Sequence, residues 1–242
     1  MARYVGKNVS DWGEFVYAKM NAPELLEKEV GKMKDLGRGK VIWFSSVTDP
    51  YQGLEAKYKL TRKCLETLIR AGFKGQVSFL TKSDLILRDI DVLKQLGDVE
   101  VGMTVTSTDD EISQFFEKHA PPASARLAAL KKLHEEGIKT YAFVGPLLPH
   151  FVAKPEALDK LFGALKEARV MEIYVEHINL SKYILGRLRE EVKGLDPEIM
   201  GKFYESKDKR YRDELNTVVR KLVKKYGLKL RMDETLYHEE MN

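Results

Sequence analysis

Hydroxyl, carboxylate and amine side chains recur in this sequence directly after short apolar runs. Val41-Ile42-Trp43-Phe44 leads into Ser45-Ser46-Val47-Thr48-Asp49, and Gln76–Leu80 leads into Thr81-Lys82-Ser83. A third run carries Thr104 at its end and continues into Thr106-Ser107. Two others end in Gly145-Pro146 and in Glu176-His177-Ile178-Asn179. Hydroxyls donate and accept, and a lysine ammonium is a compact cation suited to a carboxylate or a phosphate. Loops are also polar simply because they meet water. Hydroxyl-rich ends with one lysine among them favour a ring around a common pocket. The candidate ligand-contacting residues are therefore Ser45, Ser46, Thr48, Asp49, Lys82, Thr104 and Thr106. Asp49, before Pro50, is equally suited to starting a turn. His177 suits acid–base work or a satisfied place under a loop.

Several chemistries lack their residues. The five histidines show no HxH or HExxH spacing, and the one cysteine, Cys64, leaves no CxxC pair and no internal disulfide. No Gly-x-Ser-x-Gly elbow occurs, and neither does a GxGxxG or GxxxxGK[ST] phosphate loop. Cys64 sits in a helical pattern between Lys63 and Leu65 and reads as a core or boundary thiol.

The elements that must position the polar ends alternate. Strands are expected at Phe15–Ala18, Val41–Ser45, Gln76–Leu80, Val99–Val105, Lys139–Val144 and Glu172–His177, with a last one at Leu228–Met232. Helices are expected at Ala22–Leu36 (capped by Asn21), Tyr58–Ala71, Asp89–Leu96, Asp109–Lys118, Ala123–Glu136 and Pro155–Ala168. The chain is then mostly helical to about Tyr226. Strands alternating with helices, without a hairpin signal, predict an α/β fold with a parallel sheet. With no nucleotide loop to favour a doubly wound sheet, the expectation is a partial parallel (β/α) TIM-type barrel. It has about six β-α units and a helical C-terminal extension. In such a barrel the site lies at the C-terminal strand ends, where the polar residues fall. No linker or repeat divides the chain, so residues 1–242 are read as one domain with a basic helical segment at about 197–242.

The 242 residues are 43% hydrophobic and 32% charged, which suits a globule with a sizeable core. The net charge of +4 is mild, but residues 201–231 hold eleven basic side chains against four acidic ones. A solvated helix face accounts for this stretch, which admits only weak, salt-sensitive contact with nucleic acid. No run is long and apolar enough to span a bilayer and no secretory signal is visible, so a cytoplasmic location and no membrane partner are expected.

Several blocks of the sequence resemble a known family. They are Trp12-Gly13-Glu14-Phe15-Val16, Lys19-Met20-Asn21-Ala22-Pro23-Glu24-Leu25-Leu26, Val47-Thr48-Asp49-Pro50-Tyr51-Gln52, Leu60-Thr61-Arg62, Leu80-Thr81-Lys82-Ser83, Leu87-Arg88-Asp89-Ile90-Asp91 and Val144-Gly145-Pro146-Leu147-Leu148-Pro149. In this order they resemble the spore-photoproduct-lyase-like (DNA-repair-photolyase-like) branch of the radical S-adenosylmethionine superfamily. The resemblance covers about Trp12 to Pro149. It implies a partial barrel that binds a 4Fe–4S cluster and S-adenosylmethionine, whose reductive cleavage yields a 5′-deoxyadenosyl radical. It also implies an electron donor for the complete enzyme. By the family pattern, Ser45, Ser46 and Thr48 would contact the methionine amine, and Lys82 would meet the carboxylate or ribose. Thr104 would take the place of a hydroxyl contact to the cofactor.

One departure stands out. The family holds its cluster with a C-x3-C-x2-C loop, and this chain has no such loop. Relatives commonly continue from the last cysteine with Tyr-Ala-Arg, and here the chain opens Met1-Ala2-Arg3-Tyr4. The expectation is a truncated reading frame, or else a lineage that lost the cluster, and in either case a chain inactive as a radical enzyme. Phe15–Ala18 would then be an exposed strand edge, covered by the chain's own residues or paired in a homodimer. Two other functions fit the residues: a cluster-free module that binds nucleic acid, and a barrel enzyme acting on a phosphorylated metabolite. No catalytic residue is assigned from sequence.

Overall fold

The protein was analysed as a computed structural model that describes residues 6–8, 11, 14–44, 47–193 and 197–238. Six strands form one parallel sheet in the order β1-β2-β3-β4-β5-β6: Val41–Phe44, Gln76–Thr81, Asp98–Thr104, Lys139–Leu147, Glu172–His177 and Lys229–Leu230. The order follows the chain, and β1 and β6 form the two edges of the sheet. A sheet in chain order that does not close is a partial barrel, as the sequence pattern predicts.

Ten α-helices lie among the described residues. They are α1 Ala22–Lys32, α2 Glu55–Tyr58, α3 Leu60–Arg70, α4 Ile90–Leu93, α5 Asp110–Phe116, α6 Ala123–Glu135, α7 Pro155–Glu167, α8 Lys182–Glu191, α9 Pro197–Glu205 and α10 Lys209–Tyr226. Pro23 opens α1 from its first turn, where a missing N–H is harmless. Asn21 makes no side-chain cap, contrary to expectation, and α1 stops at Lys32 before a 3-10 turn at Lys34–Gly37. Gly137 (φ +80°) follows α6, where only glycine turns left-handed without strain. The expected strand at Phe15–Ala18 is not formed. Val16 and Tyr17 there are exposed, and no neighbouring strand supplies a ladder. A short apolar run reads as a strand only by its pattern, and pairing decides.

The two faces of the sheet differ in kind. Val77, Phe79, Val101, Met103, Ala142, Val144, Ile173 and Val175 are fully buried against the helices. Phe203, Leu215, Val219 and Leu222 of α9 and α10 join the same core. The alternate residues form the other, concave face, where Trp43 pairs with Ser78, Ser78 with Glu100, Gly102 with Tyr141, and Phe143 with Tyr174. A Cβ on Gly102 would run into the Tyr141 ring, so glycine lets that ring lie flat across β3.

Toward the N-terminal strand ends the concave face is closed by Arg231. Its guanidinium lies 4.2 Å from the Tyr141 ring centre and 2.8 Å from both Glu100 and Glu172. Glu100 also accepts from Ser78 at 2.8 Å. The polar strand ends lie at the opposite edge of the sheet, where the strands finish.

Candidate functional site

A chain of carboxylates joins the ends of β1, β2 and β3. Asp49, in the loop after β1, accepts from Thr81 Oγ1 at 2.6 Å, from the Lys82 backbone N–H at 2.7 Å and from the Tyr51 N–H at 2.8 Å. Its carboxylate thus joins the ends of β1 and β2, and all three donors are protein groups. Lys82 then reaches across to the next strand end, where its Nζ lies 2.7 Å from Glu117 Oε1. Glu117 follows α5, and its Oε2 accepts from the Arg126 guanidinium at 2.6 Å and from Thr106 Oγ1 at 3.5 Å. Arg126, on α6, donates in addition to the carbonyls of Thr104 (3.1 Å) and Pro121 (2.8 Å). One network therefore links the ends of β1, β2 and β3.

Exposure falls along it. The Lys82 side chain is 40% exposed, Glu117 11% and Arg126 1%. The ammonium is the accessible end of an otherwise buried system. Thr104 is buried and stands on the concave face beside Phe143, and Thr106 is buried against Glu117. Thr48 is exposed in the loop before Asp49. Ser45 and Ser46 lie outside the described residues.

The loop carrying Asp49 is itself clamped from behind. Thr61 Oγ1 donates to the Pro50 carbonyl at 2.6 Å, and Tyr51 is buried against Phe79. Glu55 accepts from the Thr61 N–H at 3.1 Å and from Arg88 at 3.0 Å. Fully buried Asp89 takes Arg62 at 3.1 Å and Arg88 at 2.8 Å, while Arg62 also holds Asp91 at 2.7 Å. These pairs give the blocks Leu60-Thr61-Arg62 and Leu87-Arg88-Asp89-Ile90-Asp91 a physical role. They fix the loop that fixes Lys82.

Glu176 and His177 divide between the two faces at the end of β5. Glu176 stands on the concave side, 3.3 Å from His238, and burial raises its carboxyl above the usual range while His238 opposes the shift. A Cβ on Gly145 would come within 2.7 Å of Glu176 Cβ, so β4 leaves room for this side chain. His177 is buried on the helical side and bonds Asn216 at 2.7 Å, a residue it shares with Thr235. That is the satisfied-histidine reading. Burial holds its imidazole below the ordinary 6.5, with the Asn216 bond opposing. The unfolded chain therefore takes up a proton below about pH 6.5 that the folded chain resists. The His177 contribution is intact above that pH and is lost as pH falls toward the folded value, by at most about 1.4 kcal/mol per pH unit. Urea unfolding between about pH 5 and pH 7.5 measures it, and His177→Gln is expected to flatten that part of the profile. An unchanged slope would assign the pH dependence elsewhere.

Sequence reasoning missed Glu117 and Arg126, and it named Glu176 only as part of a polar strand end, with no role. Arg126 left a signal, because it occupies a core position of α6 in register with Ala123, Leu130 and Leu133. Glu117 left none. Part of the basic stretch is paired: Lys202 with Glu205, Lys209 with Asp213, Arg210 with Glu214, Lys225 with Asp159 and Lys229 with Glu172. As to metal ligands, Cys64 is buried on α3, and burial, with Glu55 adding, pushes its thiol up to about 11. Among the described residues no group of three or more His, Cys, Asp or Glu side chains could hold a metal ion. No helix among them is long and apolar enough to cross a membrane.

The chain is similar to several known proteins. An uncharacterized protein of Methanocaldococcus jannaschii is 37% identical over 153 residues, covering 62% of this chain and 55% of its own length. An uncharacterized protein of Acidianus two-tailed virus is 28% identical over 222 residues, 90% of this chain and 68% of that protein. The match thus spans little more than half of the archaeal relative. Among solved structures, spore photoproduct lyase complexed with dinucleoside spore photoproduct superposes with a TM-score of 0.65 at 16% identity, over 89% of this chain and 67% of that one. A mutant of that lyase with bound AdoMet and dinucleoside spore photoproduct gives 0.62 at 17% identity. At such identity the likeness concerns the fold. The model of the Radical SAM superfamily matches residues 8–161, which hold β1 to β4 and the whole Asp49–Lys82–Glu117–Arg126 network. The chain belongs to the radical SAM superfamily.

Proposed function

We propose that the C-terminal strand ends of this partial barrel bind S-adenosylmethionine, as the cofactor-holding part of a protein of the spore-photoproduct-lyase-like branch. The observation that carries the reading is Lys82. Its backbone is held by Asp49 and its ammonium by Glu117, at the strand ends where β/α barrels bind their ligands. A lysine fixed at both ends and 40% exposed is a ready partner for the methionine carboxylate. The Thr48 and Thr104 hydroxyls, on the strand ends to either side, supply neutral donors and acceptors. Leu80, Phe143 and Tyr174 form an apolar part of the concave face.

A 4Fe–4S cluster, which the family implies, does not fit this chain's residues. It needs three thiolates, and the chain offers one thiol, buried and held protonated. The residues present bind and orient the cofactor, and electron delivery is no part of their chemistry.

Titration calorimetry with S-adenosylmethionine tests the proposal. Lys82→Met is expected to weaken binding about tenfold or more, because the carboxylate loses its cation. Binding that survives Lys82→Met unchanged, or a wild-type chain that prefers inorganic phosphate, would overturn the reading. The second result would favour a phosphorylated metabolite.

A further inference from the structure

We infer that Glu117 is the positioning residue of the site: it sets where the Lys82 ammonium stands, and Arg126 in turn fixes Glu117. The inference deepens the S-adenosylmethionine reading and rests on it for the identity of the ligand, though not for the geometry.

The two oxygens of Glu117 do different work. Oε1 faces Lys82 at 2.7 Å, while Oε2 receives Arg126 at 2.6 Å and Thr106 at 3.5 Å. A carboxylate held by one ligand can swing about its χ angles, whereas one held through both oxygens cannot. Arg126 is the rigid member of the set. It is 1% exposed, and its Nη1 and Nε are spent on Glu117, the Thr104 carbonyl and the Pro121 carbonyl. Those two carbonyls belong to the end of β3 and to the loop before α6. Position therefore passes from the backbone of β3 to Arg126, to Glu117 and to the ammonium.

Charge decides what the set can bind. Lys82 and Arg126 carry two positive charges against the negative charges of Glu117 and Asp49, so the network balances as a whole and the ammonium is its accessible cationic end. An ammonium has three donors, and Glu117 takes one of them. The others remain for an incoming ligand on the 40% exposed side. A lysine free on its four-carbon stem would lose more rotamer entropy on binding than one already held. Glu117 thus favours the carboxylate-bearing ligand by preorganising the cation that receives it. If Glu117 instead acted as a competitor for Lys82, its removal would strengthen anion binding. The two roles predict opposite signs.

The experiment has one arm that needs no ligand. NMR of the lysine ammonium and ε-methylene groups reads the order of the Lys82 side chain in the wild-type chain and in Glu117→Gln. The glutamine keeps an acceptor for Arg126 and so preserves the fold. Ordered in the wild type and mobile in the variant is the expected result. A Lys82 that is already mobile in the wild type would overturn the inference without recourse to any variant.

The second arm compares affinities for S-adenosylmethionine and for 5′-methylthioadenosine, which lacks the amino-acid end. Glu117→Gln is expected to weaken the first about tenfold and leave the second unchanged. Equal weakening of both would show a merely structural role, and tighter binding of S-adenosylmethionine would show a competitor; either would overturn the inference. Lys82 ordered by Glu117 in a chain that binds neither compound would leave the positioning in place and overturn the ligand instead.

Discussion

Replacing Arg126 with methionine is expected to lower the unfolding free energy by about 3–5 kcal/mol, the range seen when one member of a buried ion pair is removed. The guanidinium is almost wholly buried and its loss strands three acceptors at once: Glu117 Oε2, the Thr104 carbonyl and the Pro121 carbonyl. Each buried acceptor without a donor is destabilising by about 1–3 kcal/mol, and the carboxylate is the worst placed because it keeps its charge. Arg126→Lys should fall between wild type and methionine, since one ammonium cannot reach all three acceptors in the planar fork that arginine offers. Combining Arg126→Met with Glu117→Gln should be less damaging than the sum of the two, because the second change removes the stranded charge. Urea unfolding of the wild type, the three single variants and the double variant measures these differences. A loss below about 1 kcal/mol for Arg126→Met would mean that the network does not hold the ends of β1 to β3 together.

That expectation could not have been drawn from the sequence, and the reason is instructive. Lys82 was legible because it directly follows an apolar run, so its place at a strand end follows from the alternation alone. Thr104 and Thr106 were legible on the same grounds, and the order of the six strands followed from the absence of hairpin signals. Glu117 lies thirty-five positions beyond Lys82 along the chain (117 − 82), at the end of a seven-residue helix, and nothing local marks it. Its role depends on where α5 comes to rest over the end of β3. Arg126 was half legible, as a charge on the buried stripe of α6, which signals a partner without naming it. Asp49 was anticipated as a ligand contact, but the structure gives its oxygens three protein donors, so its visible role is to hold the Lys82 backbone. Phe15–Ala18 had the composition of a strand and lacked the neighbour that would make it one.

Incubating this chain anaerobically with iron and sulfide is expected to leave no stable 4Fe–4S absorbance after desalting. The reason lies in its thiol chemistry. A cluster of this family takes three thiolates from one short loop, and the chain contains a single cysteine. That cysteine faces the core from α3 and is 7% exposed. Burial pushes its thiol up to about 11, so the thiolate fraction near neutral pH is on the order of one in a thousand or less. Cys64→Ala should therefore leave iron retention at background, with a stability change of about 1.5 kcal/mol or less. With dithionite present, 5′-deoxyadenosine should likewise stay at background. Iron held stoichiometrically by the wild-type chain and lost in Cys64→Ala would show instead that the thiol reaches solvent and that several copies share a cluster. The Lys82 network asks nothing of those thiols, since every group in it comes from the ends of β1 to β3 and from the segments around α5 and α6. S-adenosylmethionine affinity should accordingly be the same with and without iron, so that cofactor binding and electron delivery are separable in this chain.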